Sequence, residues 1–268
     1  MKQIICIKWG SKYGPDYVNR LYGMVADNIT PPFRLVCFTD DTSGLRPEIE
    51  TRPLPEIDYD DRPAKTFGRW PKSRLWSRDL GGLDGVVLFM DLDVVVTGSL
   101  DPFFDHGDPE DVILAYNPTT PLERMGQTSI YRMPVGKLAP LQEEFAADPQ
   151  GIADRFGFEQ RFVTRRAPGG VKFWPRRWVQ LFKLDCIPPF PLNYVRPPRL
   201  KPGTRVVIFP GPLNPVEAIE GRWNWRYEPR APMDHLRATF DGRRIESVPK
   251  HLRHYFLPAA WVKDYWYR

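Results

Sequence analysis

Cysteine and histidine are scarce in this 268-residue chain, with three and four copies. Cys6, Cys37 and Cys186 show no metal-site spacing, and Cys6 and Cys37 sit in the apolar runs IICI and LVCF. That pattern predicts buried free thiols and a reducing compartment. No stretch reaches the ~18 apolar residues of a membrane span, and the opening MKQIICIKWG lacks a signal-peptide core. The expectation is a cytoplasmic protein, with peripheral membrane contact left open. Also missing are the P-loop pattern GxxxxGK[ST], the dinucleotide fingerprint GxGxxG and the nucleophile elbow GxSxG. Each absence removes a large enzyme class from consideration.

What is abundant is proline, 30 residues, and aromatics, with 9 Trp, 11 Tyr and 16 Phe. So much proline disfavours a helical bundle. Charged residues make up 26% and the formal net charge is +5, compatible with an anionic ligand but no signature of nucleic acid. Apolar Ile4–Ile7 reads as a buried strand. From Pro15, Val18, Leu21, Tyr22, Val25 and Ile29 recur at helical spacing until Pro31-Pro32. Leu35–Phe38 is a second strand. Strand–helix–strand within forty residues predicts a parallel α/β unit. Residues 43–64 read as loop with one edge strand, and Pro71–Asp79 as a short helix. Val86–Met90 is the strongest strand, with Val94–Val96 expected to continue it. Val112–Ala115, Thr128–Tyr131 and Arg205–Phe209 are further strands, and Gly136–Ala147 a helix burying Leu138, Leu141 and Phe145. The whole predicts one domain over 1–268.

Asp91-Leu92-Asp93 follows the strongest strand directly. On extended chain, residues i and i+2 share a side, with Leu92 turned to the core. Two carboxylates about 5 Å apart repel by roughly 3 kcal/mol at an effective dielectric near 20, so a cation between or beside them is expected. Hard oxygen donors suit Mg²⁺ or Mn²⁺, which bind substrate phosphate as well. Strand carboxyl ends are where open α/β sheets place ligands.

An ordered series then carries a resemblance: Lys8-Trp9-Gly10, Tyr17 to Leu21, Cys37 to Asp41, Trp70-Pro71-Lys72, Phe89 to Val94 and Gly98 to Asp101. In this order the chain is similar to bacterial glycosyltransferases resembling family 8, over residues 4–105 most specifically. The resemblance implies a single GT-A-like (Rossmann-like) α/β domain with a mainly parallel mixed sheet flanked by helices. Residues 1–105 would be the nucleotide-binding half, and 106–268 the acceptor and sugar side with a C-terminal extension. It implies Mn²⁺ or Mg²⁺ held by Asp91 and Asp93 on the diphosphate of a nucleotide-sugar, UDP being the expected nucleotide. Lys8, Trp9, Gly10, Tyr13, Thr39 and Asp40 would contact the nucleotide, with Tyr13 stacking on the base. Lys72, with Arg74 nearby, would offset diphosphate charge, and Leu92 would line the same place. Gln127 and Ser129 would line the sugar site, Gln160 would act near the donor sugar, and Gly211 would lie in a late phosphate-side turn. Such enzymes supply a third metal ligand, a His, before that turn. Here Ile208 to Pro215 contains none, which leaves the third ligand open.

The partners implied are a nucleotide-diphospho-sugar donor and a carbohydrate or lipid-linked acceptor, with retention of anomeric configuration. Two rivals are carried. Strand plus Asp91-x-Asp93 also fits a haloacid-dehalogenase-like phosphohydrolase with Asp91 as nucleophile. The absent His admits a catalytically weak nucleotide-sugar-binding relative. Between Glu159 and Asp185 seven Lys or Arg interleave with aromatics; this reads first as a solvated basic face over buried rings, and second as a surface for an anionic lipid or polysaccharide acceptor, with nucleic acid a distant third. His251 and His254 read as surface residues, and the C-terminal Trp261, Tyr265, Trp266 and Tyr267 as a packed tail.

Overall fold

The computed structural model describes residues 1–64, 70–242 and 246–267. The chain divides into two compact units, Met1–Leu92 with Ser99–Arg176, and Asp93–Gly98 with Arg177–Arg268. The boundary falls inside the Asp91-Leu92-Asp93 sequence.

The first unit is built on a seven-stranded sheet. Its strands are β1 (Lys2–Lys8), β2 (Phe33–Thr39), β3 (Glu50–Arg52) and β4 (Val86–Met90). With β5 (Val95–Val96) assigned to the second unit, the first continues with β6 (Val112–Tyr116), β7 (Gly126–Pro134) and β8 (Val171–Phe173). The order is β3-β2-β1-β4-β7-β6-β8. Only β7 runs against its neighbours; the other pairings are parallel. This is the mainly parallel mixed sheet flanked by helices that the α/β reading expects. β1 and β4 are almost wholly buried, which is why both appear as unbroken apolar runs.

Helix α1 (Pro15–Ala26) begins where Pro15 supplies a preset φ and Asp16 meets the positive helix end. Val18, Leu21, Met24 and Val25 form its buried face, and Asn28 Nδ2 closes it by donating to Met24 O at 2.8 Å. Then come α2 (Asp101–Asp105), α3 (Ala139–Ala147), α4 (Pro149–Phe156) and α5 (Glu159–Arg166). One core unites Ile5, Val36, Phe89 and Tyr131 from the sheet with Trp70, Trp76, Phe145 and Phe162. Trp70 stacks on Phe145 at 4.7 Å between ring centres. Gly126 lets α5 approach β7, because a Cβ there would lie 2.6 Å from Leu114 Cδ2 and 3.1 Å from Thr164 Oγ1.

The second unit has a smaller sheet, ordered β5-β10-β9, with β9 at Val179–Leu181 and β10 at Val206–Ile208. Its helices are α6 (Pro215–Glu220), α7 (Pro232–Arg237), α8 (Val248–Arg253) and α9 (Ala260–Trp266). Val95–Val96 therefore does not prolong β4; it pairs antiparallel with β10. Asp91-Leu92-Asp93 is correspondingly not extended: Leu92 and Asp93 form a turn, so the same-side geometry of i and i+2 on a strand does not apply. Leu92 is buried, as expected. His251 is not a surface residue. It is 2% exposed and its ring lies 3.9 Å from that of His235, nearly parallel. The three cysteines are buried and free; of the C-terminal rings Trp266 is fully buried, Trp261 and Tyr265 are half-buried, and Tyr267 is exposed, so the tail is packed only in part. Among the described residues no helix is long and apolar enough to cross a membrane.

Candidate functional site

The carboxyl ends of β1, β2 and β4 lie along one edge of the larger sheet, since Lys8 is paired with Thr39 and Ile5 with both Val36 and Phe89. Asp91 is the first residue past β4, and its N–H donates to Ser129 O on β7 at 2.8 Å. Its carboxylate is held by Lys72, whose Nζ lies 2.8 Å from Oδ1 and 2.9 Å from Oδ2. Lys72 belongs to a 3₁₀ helix over Trp70–Trp76, anchored by its buried tryptophans and Leu75. The side chain of Lys72 is 5% exposed against 22% for Asp91, so the carboxylate is the half that solvent or ligand can reach. The lysine also donates to Thr128 O at 3.2 Å, and its ammonium sits 5.1 Å from the centre of the Phe89 ring.

Thr128 extends the network. Its hydroxyl donates to Glu159 Oε1 at 2.9 Å, and Glu159 is itself 5% exposed. Glu159 opens α5, where a carboxylate is favoured by the helix end. Ser129 N–H donates to Gln127 Oε1 at 3.3 Å, which fixes that amide, while Gln160 is half-buried beside Glu159. Tyr131, two residues beyond Ser129, has its hydroxyl pushed up by burial and by the charges of Asp91 and Glu159.

The loops after β1 and β2 form a second cluster. Lys8, 3% exposed, donates to Asp41 O at 3.1 Å and lies 3.8 Å from Asp41 Oδ2. Thr39 Oγ1 donates to Asp41 O and accepts from Asp41 N, a closed local turn. Gly10 N–H donates to Asp40 Oδ2 at 2.9 Å, tying the two loops together. The Asp41 carboxyl is held low by hydrogen bonds from Ser43. Tyr13 packs on Tyr17 with ring centres 4.7 Å apart, and Lys12 donates to its hydroxyl. Trp9 packs against the core of the unit.

Other expected residues fall elsewhere. Arg74 is committed to buried Asp61 at 2.6 Å, whereas Lys72 reaches Asp91. Asp93 opens the second unit, and Gly211 lies there too, in the left-handed region with φ 81°; a Cβ on it would be 3.9 Å from Lys183 Nζ. Among the described residues no three His, Cys, Asp or Glu converge as a metal cluster. The donor chemistry nevertheless fits Mg²⁺ or Mn²⁺, which bind through one or two carboxylates and complete their shell with phosphate and water. Sequence reasoning missed Asp41 as the partner of Lys8 and the buried bond from Thr128 to Glu159. Neither has a local signal, because each joins residues 31 or more positions apart.

No family model matches the chain, and no curated protein matches it in sequence. Solved structures do resemble it. The galactosyltransferase LgtC, in complex with donor and acceptor sugar analogues, superposes with a TM-score of 0.54 at 13% identity, over 97% of this chain and 98% of that one. The apo glycosyltransferase GlyE of Streptococcus pneumoniae TIGR4 gives 0.55 at 10% identity, over 96% and 65%. The bifunctional enzyme WbbM, also apo, gives 0.54 at 12%, over 80% of this chain but only 46% of its own. The chain thus spans nearly all of LgtC and about half of WbbM. At such identities the likeness establishes a shared fold, that of these glycosyltransferases. It gives the phosphohydrolase alternative no support.

Proposed function

We propose that the protein is a glycosyltransferase that moves a sugar from a nucleotide-diphospho-sugar, with UDP as nucleotide, to an acceptor hydroxyl with retention of configuration. The observation that carries this reading is the Lys72–Asp91 pair at the carboxyl edge of the sheet, flanked by the loops after β1 and β2. Lys8, Trp9, Gly10, Tyr13, Thr39 and Asp40 would hold the nucleotide. Asp91 and Asp93 would hold Mn²⁺ or Mg²⁺, which supplies charge neutralisation for the departing diphosphate. Lys72 fixes the Asp91 carboxylate and adds a buried positive charge, a preorganised electrostatic contribution that needs no rearrangement during reaction. Gln127, Ser129 and Gln160 would line the sugar side.

A second reading, a binding relative with little turnover, draws on one observation: Lys72 already contacts both Asp91 oxygens, and no third metal ligand converges among the described residues. Calorimetric titration of UDP with and without Mn²⁺ tests the metal role. Wild type should bind UDP at least tenfold more tightly with Mn²⁺, and Asp93→Ala should lose that gain. Equal, metal-independent affinities in both proteins would remove it.

A further inference from the structure

At the far end of the same sheet edge, β6 and β8 carry two aromatic side chains that their pairing brings together. Val112–Leu114 of β6 runs parallel to Val171–Phe173 of β8, and Tyr116 meets Phe173 edge to face at 5.8 Å between ring centres. Each ring is covered by a guanidinium. Arg176 lies 5.6 Å from the Tyr116 ring centre, and Arg124 lies 5.7 Å from that of Phe173. Both arginines are exposed and both rings are half-buried.

The surrounding basic side chains are spent on carboxylates: Arg161 on Glu123 at 2.9 Å, Arg166 on Glu144 at 3.0 Å, Lys172 on Asp111 at 2.8 Å. Arg124 and Arg176 meet no carboxylate among the described residues. Arg124 also adopts φ 48°, the one non-glycine positive φ among those residues, at the exit of a turn over Pro121–Glu123. A bulky residue held in that conformation marks a place where side-chain position matters more than local comfort. β7 alone separates β6 from β4, so this cluster stands on the order of 10–15 Å along the edge from Asp91.

We infer that Tyr116, Phe173, Arg124 and Arg176 form a subsite for a carboxylate-bearing sugar, the anionic unit of the acceptor. This rests on the transferase reading for its role, but its chemistry is its own. The apolar face of a pyranose packs on the aromatic surface that the guanidinium groups leave open, and two guanidinium forks with free donors match one carboxylate. Neutral sugars use the rings alone.

Methyl β-glucuronide and methyl β-glucoside differ mainly in that carboxylate, and their binding can be titrated by NMR. Wild type should prefer the glucuronide by about tenfold, the scale of a charge-assisted hydrogen-bonded pair. Arg124→Ala/Arg176→Ala should lose the preference, Arg124→Lys should keep part of it, and UDP affinity should stay within twofold in all of them. Equal affinities in wild type, or a preference that survives the double substitution, would overturn the subsite. Glucuronide preference without nucleotide release from any UDP-sugar would keep the subsite and remove the transferase. Turnover with neutral acceptors and no preference would do the reverse.

Discussion

In the first unit 22 Lys and Arg face 24 Asp and Glu; in the second, 16 face 9, so the units carry formal charges of −2 and +7. The difference in balance goes with a difference in construction. The first unit uses long buried strands and sets charges in specific pairs, of which Lys72–Asp91 is the most enclosed. The second uses short strands and short helices, and its enclosed polar groups include the His235–His251 stack and Glu217, which Arg222 meets only at 3.7 Å. Charge is balanced in close pairs in the first unit, whereas the second carries a basic surplus.

The largest effect that sharpens this contrast is expected from Lys72→Met. It removes the Lys72 cation from Asp91 inside a largely enclosed network. With Asp91 partly solvated, the stability loss should be about 2 kcal/mol, below the 3–5 of a fully buried broken pair. Donor turnover should fall by about 100-fold or more, the scale for losing one preorganised charge. A variant of normal stability and activity would show the pair to be ornamental.

Next comes pH, which should act on the second unit through His235. Its hydroxyl partner is Tyr194 at 2.9 Å, and it packs on His251 and Tyr255, with Arg230 acting on it through charge. Burial first, then the charges of His251 and Arg230, push its pKa down to about 4. A histidine whose folded pKa lies below its unfolded value binds fewer protons when folded. Its stabilising contribution is therefore complete above about pH 6.5 and lost as pH falls toward 4. Between pH 7.5 and 4.5 the melting temperature should drop by roughly 5 °C or more, and His235→Phe should flatten that dependence. An unchanged slope in the variant would place the acid sensitivity elsewhere.

The smallest effect should come from Arg78→Ala. Its ion pair with Glu143 is as short as Lys72–Asp91, at 2.7 Å, but the two side chains are 70% and 62% exposed. Solvent screening leaves such a pair worth about 0–0.5 kcal/mol, which a denaturant melt should confirm.

What could be read from the sequence follows the same division. β1, α1, β2 and β4 were legible because strands buried on both faces are uniformly apolar and α1 buries one face at regular spacing. β7 proved longer than Thr128–Tyr131, because Arg132 interrupts its apolar pattern although it is fully buried, its guanidinium donating to Phe103 O and Phe104 O. β5 was attached to the wrong sheet, since the apolarity of Val94–Val96 says nothing about its partner. His251 was read as exposed because the ring it stacks on lies 16 residues away. Of the candidate site, Lys72 and Asp91 are brought together as a pair; in the second cluster Phe173 and Arg176 belong to the basic and aromatic run visible in the sequence, while Tyr116 and Arg124 had no signal, lying 49 or more residues before Phe173. The basic run from Arg161 to Lys183 is mostly what its pattern suggests, paired or solvated cations over buried Phe162, Trp174 and Phe182.

Release of free UDP from a panel of UDP-sugars in the presence of Mn²⁺ tests the central claim most directly. Wild type should liberate UDP from at least one donor, slowly to water and faster with an acceptor, and Asp91→Asn should reduce that rate by about 100-fold. No release from any donor, or equal rates in the two proteins, would contradict a transferase centred on Asp91.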